Sequence, residues 1–456
     1  MNKTHFEVAV VGCGSIGLAS AYYLARHHGI HDIALIDSGQ PMAFTSAQSG
    51  ENYRNWWPHP SMVAFTNRSI DLLEEIAGET GNRITMNRRG YVLATRHENI
   101  DALVKQLHEG LGEDADRVVR YHDNPQTTSY ERPLHAQWQG VQEGVDILRN
   151  ADLIRSVFPS YADDIRSIIH IRRGGDISGQ QLGMHMLEYL RSVGAQRIVG
   201  AVKTIRADAP FSLEVHDEKT GSVQITADKL INAAGPFAAD IADMLGQSLP
   251  VFNTFQQKIA FEDRAQTIPR DMPFSIDLDE QQIDWSPDER ELLREDPDIA
   301  WLAETMPGAI HCRPDGGDNG SWIKLGWAYN DKAATPARDL PLDEHFPEVV
   351  LRGAARLNPS LKAYYGTLPR SMHHYGGWYT MTEENWPLIG PMETEGAFMN
   401  CAMSGFGTMS ACSAGELCAA WVAGSTLPEY ANHFSLKRHD NESLMQQLHA
   451  SSKGIL

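Results

Sequence analysis

The sequence has little cysteine, no long apolar run and no excess of positive charge. Its five cysteines are scattered along 456 residues, which excludes a disulfide scaffold and a cysteine-based zinc motif, so we expect no metal. No segment approaches the roughly 18 to 20 consecutive apolar residues of a membrane span. The formal net charge of -20 argues against nucleic acid and anionic membranes as partners.

What the sequence does contain is typical of a globular protein with more than one core. Apolar residues make up 42% and charged residues 21% of a chain long enough for two domains. An apolar strand pattern starts within a few residues of the N-terminus, which leaves no room for a signal peptide. We therefore expect a cytoplasmic protein, and the sequence leaves its oligomeric state open.

Residues 6–37 contain, in order, a strand, a glycine turn, a helix and a second strand that ends in an acid. The turn reads Gly12-x-Gly14-x-x-Gly17, in which the glycines permit a tight turn, close approach of a pyrophosphate and close helix packing. The helix N-terminus offers N–H groups to phosphate. Asp37, 20 residues after Gly17, can accept hydrogen bonds from a ribose. The unit predicts a dinucleotide site; the alternative is an ordinary glycine-rich turn.

The rest of the chain indicates a discontinuous architecture. A buried-type strand ends on Gly235, a last strand meets the turn Gly405-Phe406-Gly407, and strand-rich residues 250–371 lie between them. An acidic helical insert, residues 286–304, interrupts that block and starts with Ser-Pro, the pattern of an N-cap followed by proline. We predict a dinucleotide domain of residues 1–80, 145–245 and 372–456, and a substrate domain of residues 81–144 and 246–371.

Four segments resemble the D-amino-acid-oxidase-like flavoprotein family, the group that holds sarcosine oxidase and glycine oxidase. They are the N-terminal unit, residues 230–242 (LINAAGPFAADIA), residues 376–391 (GGWYTMTEENWPLIGP) and residues 403–417 (MSGFGTMSACSAGEL). The resemblance spans nearly the whole chain and does not specify one substrate. It implies an α/β fold with a discontinuous Rossmann-like FAD-binding domain and an α+β substrate domain with a large mixed sheet. It also implies FAD rather than NAD.

The resemblance implies roles for individual residues around FAD. Thr45 and Ser46 fit a position near the pyrophosphate, Val202 fits the strand position whose backbone holds adenine, and residues 405–409 fit the helix start that points at the flavin. The alternative for the C-terminal glycines is that they only end a strand. The predicted cofactor contacts are Gly12, Gly14, Ser15, Ile16, Gly17, Asp37, Ser38, Thr45, Ser46, Val202, Ala234, Gly235, Gly405, Phe406, Gly407, Thr408 and Met409.

Two basic residues are predicted to be catalytic. Lys324, in WIKLGW, resembles the sarcosine oxidase lysine that lies against the flavin and promotes its reaction with oxygen. A lysine in an apolar run is costly to bury, and a cation there would stabilise charge on reduced oxygen. The alternative is a sheet-edge lysine that extends to water. Arg54 occupies about the place of a family arginine near the flavin, with an ordinary surface arginine as its alternative.

The chain also departs from the family pattern. Trp57 and Met409 stand where sarcosine oxidase keeps two cations for its substrate carboxylate, and Ala328 stands about where it has a histidine. Gly377 replaces the cysteine that carries covalent FAD there, so we expect non-covalent FAD.

A different carboxylate clamp is therefore needed, and we predict His311 and Arg313. Alternation on a strand places both on one face, and arginine grips a carboxylate at two points. A structural or solvent-facing pair is the alternative. Aromatic residues of these segments, including Trp57, Trp327 and Tyr379, are predicted to contact an apolar part of the substrate, although aromatics are also common in cores.

These features predict an FAD-dependent oxidase of an amino acid or N-substituted glycine. Hydride would pass to the flavin, the imine would hydrolyse, and O2 would reoxidise the flavin to give H2O2. Two alternatives remain open at this point. One is a dehydrogenase of the same fold that uses a quinone or an electron-transfer protein, and the other is a flavin-binding regulatory protein without turnover.

Overall fold

The computed structural model describes residues 3–450. Two large sheets organise this part of the chain. The strands are β1 (His5–Val11), β2 (Ile33–Asp37), β3 (Asn52–Arg54), β4 (Tyr91–Thr95), β5 (Val119–His122), β6 (Val145–Leu148), β7 (Ser167–Ile171), β8 (Gly174–Asp176), β9 (Gln196–Val199), β10 (Ala201–Arg206), β11 (Phe211–Asp217), β12 (Gly221–Asn232), β13 (Phe252–Glu262), β14 (Phe274–Asp277), β15 (Gln281–Gln282), β16 (Thr305–Met306), β17 (Ile310–Asp315), β18 (Trp322–Trp327), β19 (His373–Met381), β20 (Leu388–Pro391) and β21 (Ala397–Cys401).

Helices cover these sheets and connect their strands. The α-helices are α1 (Ser15–His28), α2 (Pro60–Glu79), α3 (Asp101–Leu111), α4 (Ala115–Val118), α5 (Ala151–Val157), α6 (Gly179–Ser192), α7 (Ala238–Asp243), α8 (Pro287–Glu295), α9 (Phe346–Ala354), α10 (Gly407–Ala423) and α11 (Glu442–Ala450). Between residues 3 and 450, no helix is both long enough and apolar enough to cross a bilayer.

The first large sheet has eight strands and a parallel centre. Strands β21, β12, β1, β2 and β9 run parallel in that order, while β10 and β11 extend from β12 as an antiparallel meander. Helix α1 packs against α10 and α6. The contact between α1 and α10 is so close that a Cβ at Gly415 would lie 2.5 Å from the backbone carbon of Ala19.

The second large sheet has nine strands in the order β19, β13, β18, β17, β14, β4, β7, β6 and β5. Only the pairs β14–β4 and β5–β6 are parallel, so the sheet is mixed. Apolar side chains such as Ile259, Leu325 and Val349 form its core with helix α9. The α/β fold with a large mixed sheet agrees with the prediction.

The predicted domain boundaries differ from the sheets that the strands join. Residues 145–171 were assigned to the dinucleotide domain, but β6 and β7 pair next to β4 in the nine-stranded sheet. Residues 373–381 were assigned likewise, but β19 pairs with β13 at the edge of the same sheet. A strand's own sequence shows that it is buried, whereas its partner is chosen by tertiary packing.

Candidate active site

Three cavities that share lining residues run from the eight-stranded sheet toward the nine-stranded sheet. The first, here called the nucleotide cavity, lies at the carboxyl ends of β1, β2 and β12, where open α/β sheets bind ligands. The Asp37 carboxylate is fixed there, because its two oxygens accept hydrogen bonds from the Cys13 and Gly39 backbone N–H groups, each at 2.8 Å. Ser38 and Val202 also line this cavity.

Two glycines of the turn beside the nucleotide cavity, Gly12 and Gly17, leave no room for a side chain. Gly12 has φ +107°, and a Cβ there would lie 2.1 Å from the carbonyl oxygen of Ala233. A Cβ at Gly17 would lie 1.9 Å from the carbonyl oxygen of Gly12, so Gly17 allows α1 to approach the turn. A Cβ at Gly14 would lie 2.9 Å from the Ser46 hydroxyl oxygen, which accepts a hydrogen bond from the Ser15 N–H at 3.0 Å.

The second cavity, here called the inner cavity, continues from the first past Thr45, Ser46 and Gly235. Its far wall is β19 around Gly377 and Tyr379, and its end is the N-terminus of α10. The Thr45 hydroxyl oxygen and the Asn400 amide oxygen are buried without a hydrogen-bond partner among the described residues. A polar cofactor in this cavity would supply partners for both.

The third cavity, here called the side cavity, opens from the inner cavity toward the nine-stranded sheet. The two share Ser49, Gly50, Lys258, Tyr379, Gly405 and Thr408. The remaining wall of the side cavity combines polar groups with apolar side chains, namely Glu51, Asn52, Tyr91, Phe274, Ile276, His311, Ala328, Phe406 and Met409. It can therefore hold a small molecule with both charged and apolar parts.

The structure brings most of the predicted cofactor residues to these cavities. The nucleotide or inner cavity is lined by Gly12, Gly14, Ser15, Ile16, Asp37, Ser38, Thr45, Ser46, Val202, Ala234, Gly235, Gly405, Gly407 and Thr408. Gly17 instead packs against Gly12, and Phe406 and Met409 line the side cavity rather than the inner one. The lining agrees in position with the prediction, while the contacts themselves stay predictions.

Lys324 does not lie where the sequence predicts it. Its Nζ is 2.7 Å from the Glu51 Oε2 and 3.5 Å from the Asp315 Oδ1, and it lines none of the three cavities. The positive charge of Lys324, which the prediction requires beside the flavin, is thus compensated by the carboxylates of Glu51 and Asp315. We correct the prediction accordingly: Lys324 is a partner in an ion-pair cluster beside the side cavity.

Arg313 also differs from its predicted role as a carboxylate clamp. It is buried, its Nη1 lies 2.7 Å from the Asp315 Oδ1 and 3.4 Å from the Asp176 Oδ1, and its Nη2 donates to the Gly50 carbonyl at 3.1 Å. Burial opposes ionisation, but Asp176, Asp315 and Glu51 raise the pKa of Arg313 above its usual value. Because internal acceptors occupy the guanidinium, we correct this prediction: Arg313 secures the 50–51 loop.

His311, the predicted companion of Arg313, does line the side cavity. Burial and the nearby charge of Lys258 lower the pKa of His311 to about 3. The imidazole is therefore neutral at physiological pH, and its single N–H is engaged with the Ala309 backbone, so it offers neither a free donor nor a positive charge to a carboxylate.

Arg54 and two predicted aromatic residues lie behind the cavities. The Arg54 guanidinium carbon is 4.6 Å from the Tyr91 ring centroid and 5.2 Å from that of Trp57, and burial lowers the pKa of Arg54. Trp327 donates to the Pro307 carbonyl at 3.2 Å. We correct the predicted substrate contacts of Trp57 and Trp327, because both are buried outside the cavity walls. Tyr379 lines both the inner and the side cavity.

Lys258 is the residue that the sequence-based prediction missed. It is 5% exposed, lines both the inner and the side cavity, and donates from Nζ to the Tyr379 hydroxyl at 3.2 Å. It is the only lysine or arginine among the described residues that line either cavity. The available signal was a lysine in the apolar run Lys258-Ile-Ala-Phe, the same kind of signal that drew attention to Lys324.

Comparison with known proteins agrees with this geometry. The family described as FAD dependent oxidoreductase (DAO) matches residues 7–421. The chain belongs to this family. FAD is therefore its cofactor, and the cavities fit that molecule: the glycine turn and Asp37 would hold the ADP half, and the inner cavity would hold the flavin ring. Like other members, this oxidoreductase is an enzyme.

Curated relatives of this FAD dependent oxidoreductase are distant and longer. Dimethylglycine dehydrogenase, mitochondrial, of Rattus norvegicus is 21% identical over 281 residues, which cover 61% of this chain and 29% of that protein. The sarcosine oxidase subunit beta of Arthrobacter sp is 30% identical over 88 residues, which cover 19% of this chain and 22% of that subunit. The matches thus span less than a third of either relative.

Solved structures share the fold over nearly the whole chain. Glycine oxidase from Geobacillus kaustophilus has a TM-score of 0.70 at 18% identity and covers 96% of this chain and 100% of its own. L-proline dehydrogenase from P. horikoshii has a TM-score of 0.70 at 17% identity, and the match covers 96% of this chain and 99% of that one. Iminodiacetate oxidase from Chelativorans sp. BNC1 has a TM-score of 0.68 at 19% identity, and the match covers 94% of this chain and 98% of that one. These likenesses confirm the predicted fold class.

Proposed function

We propose that this protein oxidises the C–N bond of an amino acid or an N-substituted glycine and uses O2 as the electron acceptor, with H2O2 as a product. The observation that carries the proposal is the shared wall between the inner and side cavities, where Lys258 and Tyr379 lie. A substrate in the side cavity would be adjacent to the flavin. The relatives named above act, by their names, on small carboxylate-bearing amines, which supports this substrate class.

FAD, when bound, supplies the two-electron redox chemistry, and the protein supplies position and charge. We assign the substrate carboxylate to Lys258, the only lysine or arginine of the described side-cavity wall. The Tyr91 hydroxyl is buried in that wall and has no hydrogen-bond partner among the described residues, so it can donate to the same carboxylate. This arrangement would replace the clamp that the sequence predicted at Arg313.

The position of Lys258 also suits reaction with oxygen. Once the product has left, the ammonium group of Lys258 no longer faces a substrate carboxylate. It still borders the inner cavity. A preorganised cation in a site of low polarity stabilises negative charge that develops on oxygen. Lys324 is a weaker candidate for this task because Glu51 and Asp315 already neutralise it.

The apolar part of the side cavity bears on substrate size. Phe274, Ile276 and Met409 contribute apolar surface to the wall of the side cavity. We therefore propose a substrate whose amine or α-carbon carries an apolar substituent larger than hydrogen. Glycine itself would leave this wall unused.

The proposal is tested by anaerobic mixing of the purified protein with glycine, sarcosine, N-carboxymethyl amino acids and D-amino acids. Loss of the oxidised flavin spectrum identifies the substrate class, and H2O2 measured after air is admitted tests the acceptor. A second candidate is a dehydrogenase of the same substrates, favoured by the names of two relatives. Dye reduction without H2O2 would support the dehydrogenase and contradict the oxidase.

A further inference from the structure

We propose that Arg338 binds the phosphate groups of the cofactor's ADP half and so retains the cofactor. Arg338 lies on the connection between β18 and α9, residues 328–345, and therefore comes from the nine-stranded sheet. It nevertheless lines the nucleotide cavity of the eight-stranded sheet. The function proposed above is not needed for this inference.

Two aromatic rings and one hydroxyl hold Arg338 at the cavity. Its guanidinium carbon lies 5.9 Å from the ring centroid of Phe44 and 5.7 Å from that of Phe237, and these two rings stack with their centroids 5.8 Å apart. Its Nη2 donates a hydrogen bond to the hydroxyl oxygen of Ser38. Ser38 follows Asp37, the predicted ribose acceptor, so the guanidinium lies at the ADP end of the joined cavities.

The connection that carries Arg338 is held against its own nine-stranded sheet at two points, in β13 and β19. The Ala334 N–H donates to the Asn253 carbonyl at 2.8 Å. The Trp378 Nε1 donates to the carbonyl of Ala337, directly before Arg338, at 2.9 Å. Since β19 also forms the wall of the inner cavity at Trp378, the same strand positions the flavin wall and the backbone next to Arg338.

The charge of the nucleotide cavity supports a phosphate ligand for Arg338. The described residues that line this cavity include two acids, Asp37 and Asp240, and Arg338 as the only lysine or arginine. The ADP half carries negative charge on two phosphates, and the glycine turn offers them backbone N–H groups and the Ser15 hydroxyl but no charged side chain. Arginine matches phosphate geometry with two parallel N–H donors and is held well by aromatic faces.

The test measures cofactor retention rather than turnover. Holoenzyme is diluted, and FAD release is followed by the rise of flavin fluorescence for wild type, Arg338→Gln and Arg338→Lys. Lys332→Gln is a matched control, because Lys332 is an exposed cation on the same connection. Loss of one charge-assisted contact should speed release by about tenfold or more in Arg338→Gln. Arg338→Lys should restore part of the loss, and the control should stay within about twofold of wild type.

A second measurement locates the contact on the ligand. The apoprotein of the full chain is titrated calorimetrically with ADP, adenosine and riboflavin as separate probes. ADP affinity should fall about tenfold in Arg338→Gln while the affinities for adenosine and riboflavin, which carry no phosphate, stay within about twofold. Equal losses for ADP and adenosine would overturn the phosphate contact, and unchanged FAD release would overturn the proposal. A fall of riboflavin affinity as large as that of ADP would show a general folding defect and would also overturn it.

Discussion

The Nζ of Lys258 lies 3.2 Å from the hydroxyl oxygen of Tyr379, at the wall that the inner and side cavities share. On the neighbouring strand, Lys324 lies 2.7 Å from the Glu51 carboxylate instead. Two lysines on adjacent strands of one sheet thus have different electrostatic surroundings. Lys258 keeps a charge that a ligand can use, whereas the charge of Lys324 is used within the protein.

Replacement of the two lysines should therefore have different consequences. We expect Lys258→Met to weaken binding of a carboxylate inhibitor and to slow reaction with oxygen by about tenfold or more, about 1.4 kcal/mol in barrier. Lys324→Met is the matched variant and should change both much less. Stopped-flow absorbance of the flavin measures the two half-reactions separately. A large loss of oxygen reactivity confined to Lys324→Met would restore the original prediction.

The misassigned lysine shows what the sequence could provide. The run around Lys324 indicates a lysine in a buried strand, and so does the run around Lys258. The choice between them depends on Glu51, whose positive φ of 63° belongs to a distant loop and whose carboxylate reaches Lys324. Local sequence patterns do not contain such a contact between segments 273 positions apart.

Features that depend on neighbours in sequence were predicted well. Ser286 and Pro287 indicated a helix start, and α8 begins there with a capping box: the Glu289 N–H donates to the Ser286 hydroxyl at 3.2 Å, and the Ser286 N–H donates to the Glu289 carboxylate at 2.7 Å. The glycine turn and Asp37 are likewise a local unit. Strand partners such as β6 with β7 are set by tertiary packing, which explains the domain boundaries that the prediction placed wrongly.

Arg313 should matter for stability more than for ligand binding. Arg313→Met would remove the cation beside Asp176 and leave Glu51 and Asp315 with Lys324 alone. Because these three carboxylates are 18–31% exposed, we expect the loss to be smaller than the roughly 3–5 kcal/mol of a fully buried pair. We expect a clear fall in the midpoint of thermal unfolding, measured by circular dichroism. Arg264→Met is the control: that residue pairs with Glu262 while 76% exposed, and such pairs contribute about 0–1 kcal/mol. An unchanged midpoint together with lost inhibitor binding would instead support the predicted role of Arg313 in binding the substrate carboxylate.

Gly14→Val should abolish FAD binding while the protein still folds. A Cβ at Gly14 already lies 2.9 Å from the Ser46 hydroxyl oxygen, and the larger side chain would enter the space expected for the pyrophosphate. Gly78→Val is the control, because a Cβ there meets nothing closer than 3.9 Å. The ratio of flavin absorbance to protein absorbance after purification measures the effect. Full flavin content in Gly14→Val would contradict the predicted site.

FAD should be released intact by acid, since Gly377 stands where sarcosine oxidase, which this sequence resembles, has the cysteine that carries covalent FAD. The five cysteines of the chain are buried, and burial raises the pKa of each thiol, so none offers a reactive thiolate. Protein precipitated with acid should be colourless, with the yellow flavin in the supernatant. Colour that stays on the precipitate would contradict non-covalent binding.

Buried histidines should make stability depend on pH below neutrality. Burial lowers the pKa of His311 to about 3 from its usual value of 6.5, so between these pH values the unfolded chain binds a proton that the folded protein excludes. His311 therefore costs no stability above pH 6.5, and stability falls as pH drops through that window by about 1.4 kcal/mol per pH unit. His170 and His59 add to this slope, since burial lowers the pKa of each as well.

The slope can be assigned to His311 by substitution. Denaturant unfolding of wild type and His311→Asn is compared between about pH 4 and 6, and the variant's slope should be smaller by about 1.4 kcal/mol per pH unit. His31→Asn is the control, because His31 is exposed and its substitution should leave the slope unchanged. Equal slopes for wild type and His311→Asn would mean that His311 takes up a proton in the folded protein. In that case His311 would be a second cation beside Lys258. The substrate carboxylate would then have to be assigned to both residues.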